Sequence, residues 1–145
     1  MTTKAIRILD KINNIVNVEL FDFLKEISYV QYINWAILYL DAIGHLSEDT
    51  SIIMFMEQIN KSENGLLISG NDLILLSNKP LEIIDIIIIG CENANLLHRY
   101  ETKQEMYQTV DIVIQMIDSS FWEVFSKDEK LIDRYIEKFE NVVLL

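Results

Sequence analysis

The sequence predicts an α+β fold: one helix-rich domain in which a small central β-sheet, a hairpin plus one long strand, is packed by helices. Apolar residues recur at steps of three and four through both ends of the chain, and only the middle changes to the short apolar runs of strands. Four glycines and one proline in 145 residues leave little punctuation for a loop-rich fold, while a half-apolar composition is ample for one core. No repeat, low-complexity tract or linker divides the chain, so 1–145 reads as a single domain.

Ala5, Ile8, Leu9, Ile12, Ile15 and Val16 follow helical spacing behind Thr2 and Thr3, whose hydroxyls would cap a first helix. Leu20, Phe23, Leu24 and Ile27 repeat the pattern as a second helix, with Asp22, Lys25 and Glu26 on its wet side. Residues 29–43 are apolar on nearly all sides. They read as a third helix that stops at Gly44, although Tyr29, Val30, Tyr32 and Ile33 also suit a strand. Ser47 or Asp49 would cap a fourth helix with Ile52, Ile53, Phe55, Met56 and Ile59 on its buried face, ended by Gly65.

Two apolar runs, 66–69 and 73–76, flank Gly70-Asn71-Asp72 and read as a β-hairpin. After a turn at Asn78-Lys79-Pro80, residues 81–89 form a strand whose Ile86-Ile87-Ile88-Ile89 is apolar on both faces, as in a strand covered above and below. Thr102 and Glu105 have the spacing of a capping box, opening a helix with Met106, Val110, Val113, Ile114 and Ile117 as its buried stripe. Ser120 with Glu123 and Ser126 with Glu129 repeat that spacing for a short helix and a longer one faced by Leu131, Ile132, Tyr135, Ile136 and Phe139. The 142–145 tail reads as a sheet-edge strand or a loose terminus.

A formal charge of −11 excludes direct nucleic-acid binding, which draws its strength from Lys and Arg on phosphates, and disfavours an anionic membrane surface. The start has no apolar signal region and the longest apolar stretches fall short of a bilayer span, so a cytoplasmic location is expected. A lone Cys91 makes no intrachain disulfide and has acidic rather than cationic neighbours to set its thiol. His45 and His98 stand apart from any metal-ligand spacing. No phosphate-binding glycine loop or nucleophile elbow is present, so the expectation is no enzyme, no cofactor and no metal. An enzyme built on His98 with Glu101 or Cys91 is the least favoured reading.

Charge distribution carries the functional reading. Residues 82–123 hold eight acids against Arg99 and Lys103 alone, six of the eleven net negative charges. Within that stretch Glu101, Glu105, Gln108, Asp111, Gln115 and Asp118 fall at helical steps of three and four opposite the Met106 to Ile117 stripe. They would form one wet acidic face without the lysines that helix pairing would supply, a face for a basic partner. Tyr107 and Trp122, with Tyr100 beside them, would anchor such a partner.

With one compact acidic domain and the stretch Ser119-Ser120-Phe121-Trp122-Glu123-Val124-Phe125 leading into residues 128–139, the chain resembles the small acidic immunity proteins that bacteria encode beside polymorphic or contact-dependent growth-inhibition toxins. The resemblance implies neutralisation of a cognate toxin domain, such as a nuclease, by covering its basic active site. No site residue carries over from that diverse group. The expected state is a monomer or weak homodimer. The alternative is a non-catalytic regulatory or structural subunit that oligomerises through an apolar helical surface at 29–43.

Overall fold

A computed structural model describes residues 4–145; the expected caps Thr2 and Thr3 lie outside the described residues. The molecule is sheet-dominated, which corrects the expected helix-rich fold with a small sheet: a seven-stranded antiparallel sheet and a two-stranded hairpin, with five helices. In chain order the elements are β1 (Lys4–Ile8), β2 (Lys11–Ile12), β3 (Ile15–Val16), α1 (Leu20–Leu24), β4 (Asn34–Gly44) and α2 (Ile52–Lys61). There follow β5 (Leu66–Ile68), α3 (Gly70–Ser77), β6 (Leu81–Cys91), a single 3-10 turn at Ala94–Leu96, and α4 (Lys103–Thr109). The chain closes with β7 (Ile112–Ile117), β8 (Phe121–Ser126), α5 (Glu129–Lys138) and β9 (Val142–Leu144). The large sheet runs β5-β4-β6-β7-β8-β1-β9.

Five expected elements change type. The first helix is instead β1 and the β2–β3 hairpin, which turns on Asn13 and Asn14 at φ 53° and 65°, the left-handed pair of a two-residue hairpin loop. Residues expected to form the third helix supply β4, whose middle is buried on both faces, so the apolar helical surface proposed for oligomerisation does not exist. The second arm of the expected 66–76 hairpin is α3, capped by Ser69 accepting from the Asp72 amide at 3.1 Å. The helix after Thr102 stops at Thr109 and continues as β7, and the short helix expected at Ser120 is β8. As expected, α1, α2, α5 and β6 form in their places, and the 142–145 tail supplies β9. The caps of α2 and α5 are Ser51 and Asp128 rather than Ser47, Asp49 or Ser126.

Both sheet faces carry apolar layers because the strands alternate. On the first face Ile6, Ile37, Leu40, Ile86, Ile88, Ile114, Trp122 and Val124 pack beneath α1, α2, α3 and α5. Phe23 sits at its centre, 5.1 Å from Trp122 and edge-on to Tyr135 at 5.3 Å, while the Tyr135 hydroxyl donates to the Phe23 carbonyl at 2.7 Å. On the second face Ala36, Leu38, Ile89, Val113 and Phe125 lie beneath Leu97, Met106 and Val110 of the 94–110 segment. Arg99 fastens that segment, donating to the carbonyls of Leu38, Ile59 (2.9 Å) and Ser62 (3.1 Å).

Beyond its short pairing with β5, the outer edge of β4 is closed by side chains: the Asn60 amide exchanges hydrogen bonds with the Leu40 backbone at 3.0 and 2.9 Å. Covering an edge in this way blocks further strand addition. Among the described residues no helix is long and apolar enough to cross a membrane.

Candidate functional site

The second sheet face is covered unevenly. The 94–110 segment roofs the half nearest Ala36, Ile89, Val113 and Phe125. One row further along, register brings Tyr39, Ile87, Gln115, Glu123, Arg7 and Val143 side by side across β4, β6, β7, β8, β1 and β9. Beyond that row stand Asp41, Asp85, Ile117 and Phe121, all half-buried, in the half that the segment leaves open.

Glu123 is 1% exposed and lies in the middle of the row. The Arg7 guanidinium donates to one of its oxygens through Nε at 2.9 Å and Nη2 at 2.7 Å, and the Lys103 ammonium donates to the other. Burial works to raise its pKa. The hydrogen bonds and charges of Lys103 and Arg7 outweigh burial and hold the carboxyl below its ordinary value. Arg7 in turn lies over the Phe121 ring at 4.4 Å, and Tyr107 stacks on Phe125 at 4.7 Å.

The Tyr107 hydroxyl is buried without a hydrogen-bond partner among the described residues, and burial together with the nearby Glu123 charge raises its pKa. Tyr107→Phe is therefore expected to leave stability unchanged or raise it by up to about 1 kcal/mol, since it removes a desolvated group that gains nothing in return. Denaturant unfolding checks this, and a clear loss of stability would mean that the hydroxyl has a partner.

In the open half, Asp41 of β4 is directly opposite Asp85 of β6. Like charges in a cross-strand pair repel, at a cost of roughly 0.2–1 kcal/mol. Neither carboxylate meets a Lys, Arg or His among the described residues; Asp85 accepts only the Asp118 amide, at 2.8 Å. Gln115, 7% exposed, makes no side-chain hydrogen bond among the described residues. Tyr39, 39% exposed, and the half-buried Ile87, Ile117 and Phe121 surround these polar groups with apolar surface. The patch can receive a cation flanked by hydrocarbon, with Gln115 offering both an amide donor and a carbonyl acceptor.

The residues expected to share one acidic helix face are separated. Glu101, Glu105 and Gln108 are exposed on and beside α4, where the Thr102 hydroxyl accepts from the Glu105 amide at 3.1 Å. Asp111 lies past the helix, accepting from the Glu92 amide at 2.8 Å and facing Lys127 at 3.8 Å. Gln115 is buried in β7 and Asp118 is in the β7–β8 turn at φ 48°. Tyr107 packs inward. Trp122 is on the opposite face, buried, its indole N–H donating to the Val18 carbonyl at 2.7 Å.

Cys91 is buried, and burial raises its thiol pKa. His98 contacts the Arg99 carbonyl at 2.9 Å through Nδ1 and lies against Tyr100. Among the described residues no three of His, Cys, Asp and Glu gather as a metal site.

The Asp41–Asp85 pair escapes a reading that places 29–43 in a helix. Its available signal is a lone aspartate interrupting each of two otherwise apolar runs. Comparison with protein-family models, with curated proteins and with solved structures returns no match.

Proposed function

We propose that the protein is a non-catalytic binding protein whose open half-sheet docks a basic partner protein. The observation that carries this reading is the Asp41–Asp85 cross-strand pair, two adjacent carboxylates without a cation among the described residues, on a half-apolar surface. A Lys or Arg from a partner would relieve their repulsion, Tyr39 and Phe121 would supply the apolar anchoring that sets affinity, and the net charge of −11 would speed encounter. The resemblance to immunity proteins supplies the class of partner: a basic toxin domain, such as a nuclease, whose cleft this face would cover. This acidic surface differs from the one expected on a continuous helix, because only Gln115 and Asp118 of that set lie at or beside it.

The test pairs the protein with the product of the adjacent reading frame. Binding is expected to weaken with rising salt, and Asp41→Asn with Asp85→Asn to loosen it at least about tenfold, or ~1.4 kcal/mol. The same double variant should be slightly more stable than the parent, by up to about 1 kcal/mol, because it removes the repulsion. Glu101→Gln with Glu105→Gln should change the association rate more than the dissociation rate. Unchanged affinity and salt dependence in the aspartate variant would remove this face from the proposal, and absence of rescue on co-expression would remove the immunity reading.

A further inference from the structure

On the opposite sheet face, between the β2–β3 hairpin and the adjoining ends of β4 and β6, lies a cavity of about 600 Å³. Its size falls within the roughly 300–1,000 Å³ range of small-molecule sites. The floor is formed by Leu40, Ile86, Met116 and Trp122, all core residues. Trp122 is the only floor side chain with a hydrogen-bond donor, and Val18 already takes it. Whatever enters the depth of the cavity must therefore be hydrocarbon, since a polar atom there would lose water and gain no partner.

The mouth has a different character. Ile15, 71% exposed, stands there with Ile43, and both are large apolar side chains left in water. Glu19 and Glu82 reach the same rim, each exposed and without a cation among the described residues, beside one ammonium, Lys79. Two carboxylates against one ammonium favour a positively charged head over a negative one. We propose that this cavity binds a small cationic amphiphile, with its hydrocarbon body over Trp122 and its ammonium at the Glu19 and Glu82 rim. The cavity floor of Leu40, Ile86, Met116 and Trp122 lies across the sheet from the Asp41–Asp85 pair, so the proposal does not rest on the partner-binding reading.

The test titrates octyltrimethylammonium, octanol and octanoate, each below its aggregation concentration, with calorimetry and tryptophan emission read together. Saturable one-to-one binding is expected, with the ammonium at least about tenfold tighter than octanoate and octanol between them. Trp122→Phe should abolish the emission change while calorimetric binding survives, and Glu19→Gln with Glu82→Gln should erase the preference for the cation while sparing octanol. Ser77→Phe, at a half-buried lining position at the end of α3, and Ile83→Trp, on the wall, should each weaken all three probes about tenfold with the thermal transition retained; either folded variant suffices. Non-saturating uptake, octanoate as the tightest probe, or folded filling variants that bind like the parent would each overturn the proposal. Partner binding through Asp41 and Asp85 would stand whichever result is found.

Discussion

Glu123→Ala is expected to cost about 3–5 kcal/mol, enough to threaten a domain whose total stability is of order 5–15 kcal/mol. The carboxylate is buried between β7 and β1, opposite Gln115 on one side and Arg7 on the other, and it holds two cations. Removing it leaves Arg7 and Lys103 without their shared carboxylate beside Gln115. Both side chains retain access to water, at 38% and 48% exposure, so they relax outward and the loss falls toward the lower end of that range.

Glu123→Gln separates charge from shape, because it keeps an acceptor for one cation and should lose less than Ala. The pH dependence has a defined sign. Lys103 and Arg7 hold the folded-state pKa below the unfolded value of about 4.3, so the unfolded chain binds the proton more readily. This contribution is therefore complete above that value and disappears as pH falls through the folded pKa. Acid unfolding of the Gln variant should be flatter than the parent's in that window; an unchanged acid limb would mean that Glu123 does not carry the charge assigned to it.

The elements legible in the sequence are helices with one wet side and one strand too rich in β-branched residues to read as a helix. In α2 and α5 polar residues stand opposite an apolar stripe, and β6 declared itself by four consecutive isoleucines. The largest misread segment, β4, has apolar residues on both sides without such a run. A strand roofed on both faces loses its period-two alternation, and Trp35-Ala36-Ile37-Leu38 then fits a buried helix as well as a strand. In β8 the order Phe-Trp-Glu-Val-Phe-Ser carries no polar–apolar alternation either, and the capping-box spacing of Ser120 and Glu123 suggested a helix instead. A strand places the neighbouring rings of Phe121 and Trp122 on opposite faces, which a short helix cannot do.

The acidic helix face failed for a related reason. Steps of three and four from Glu101 to Asp118 cross a helix end at Val110 and a strand, so the spacing had no common axis. The pair that does stand together, Asp41 and Asp85, is joined only by the β4–β6 ladder, with register shifts between Ile37 and Tyr39 and between Asp41 and Ala42. Tertiary pairing of that kind leaves no local trace. The β2–β3 turn did leave one, since Asn13-Asn14 between Ile12 and Ile15 is a hairpin signal that a helical reading passes over.

Gly70→Ala should destabilise the fold by roughly 3 kcal/mol, a large effect for one methyl group. Gly70 opens α3 where the helix meets the chain before β4, and a Cβ there would lie 2.0 Å from the Val30 carbonyl oxygen and 2.7 Å from its carbon. The obstacle is backbone, so no side-chain rotation relieves it, and overpacking of this sort costs about 1–3 kcal/mol by itself. The same Val30 oxygen accepts the indole N–H of Trp35 at 2.8 Å, in the core and out of reach of water. Pushing the carbonyl aside to admit the methyl strands that donor, which adds a further ~1–3 kcal/mol. Two readouts divide the effects: denaturant unfolding gives the sum, and hydrogen exchange at the Trp35 indole reports the broken bond. Trp35→Phe in the Gly70→Ala background should then lose less than the two single changes added together, because the first has already released the bond that the second would break. Strict additivity would mean that the helix shifts as a body and leaves the indole bond intact.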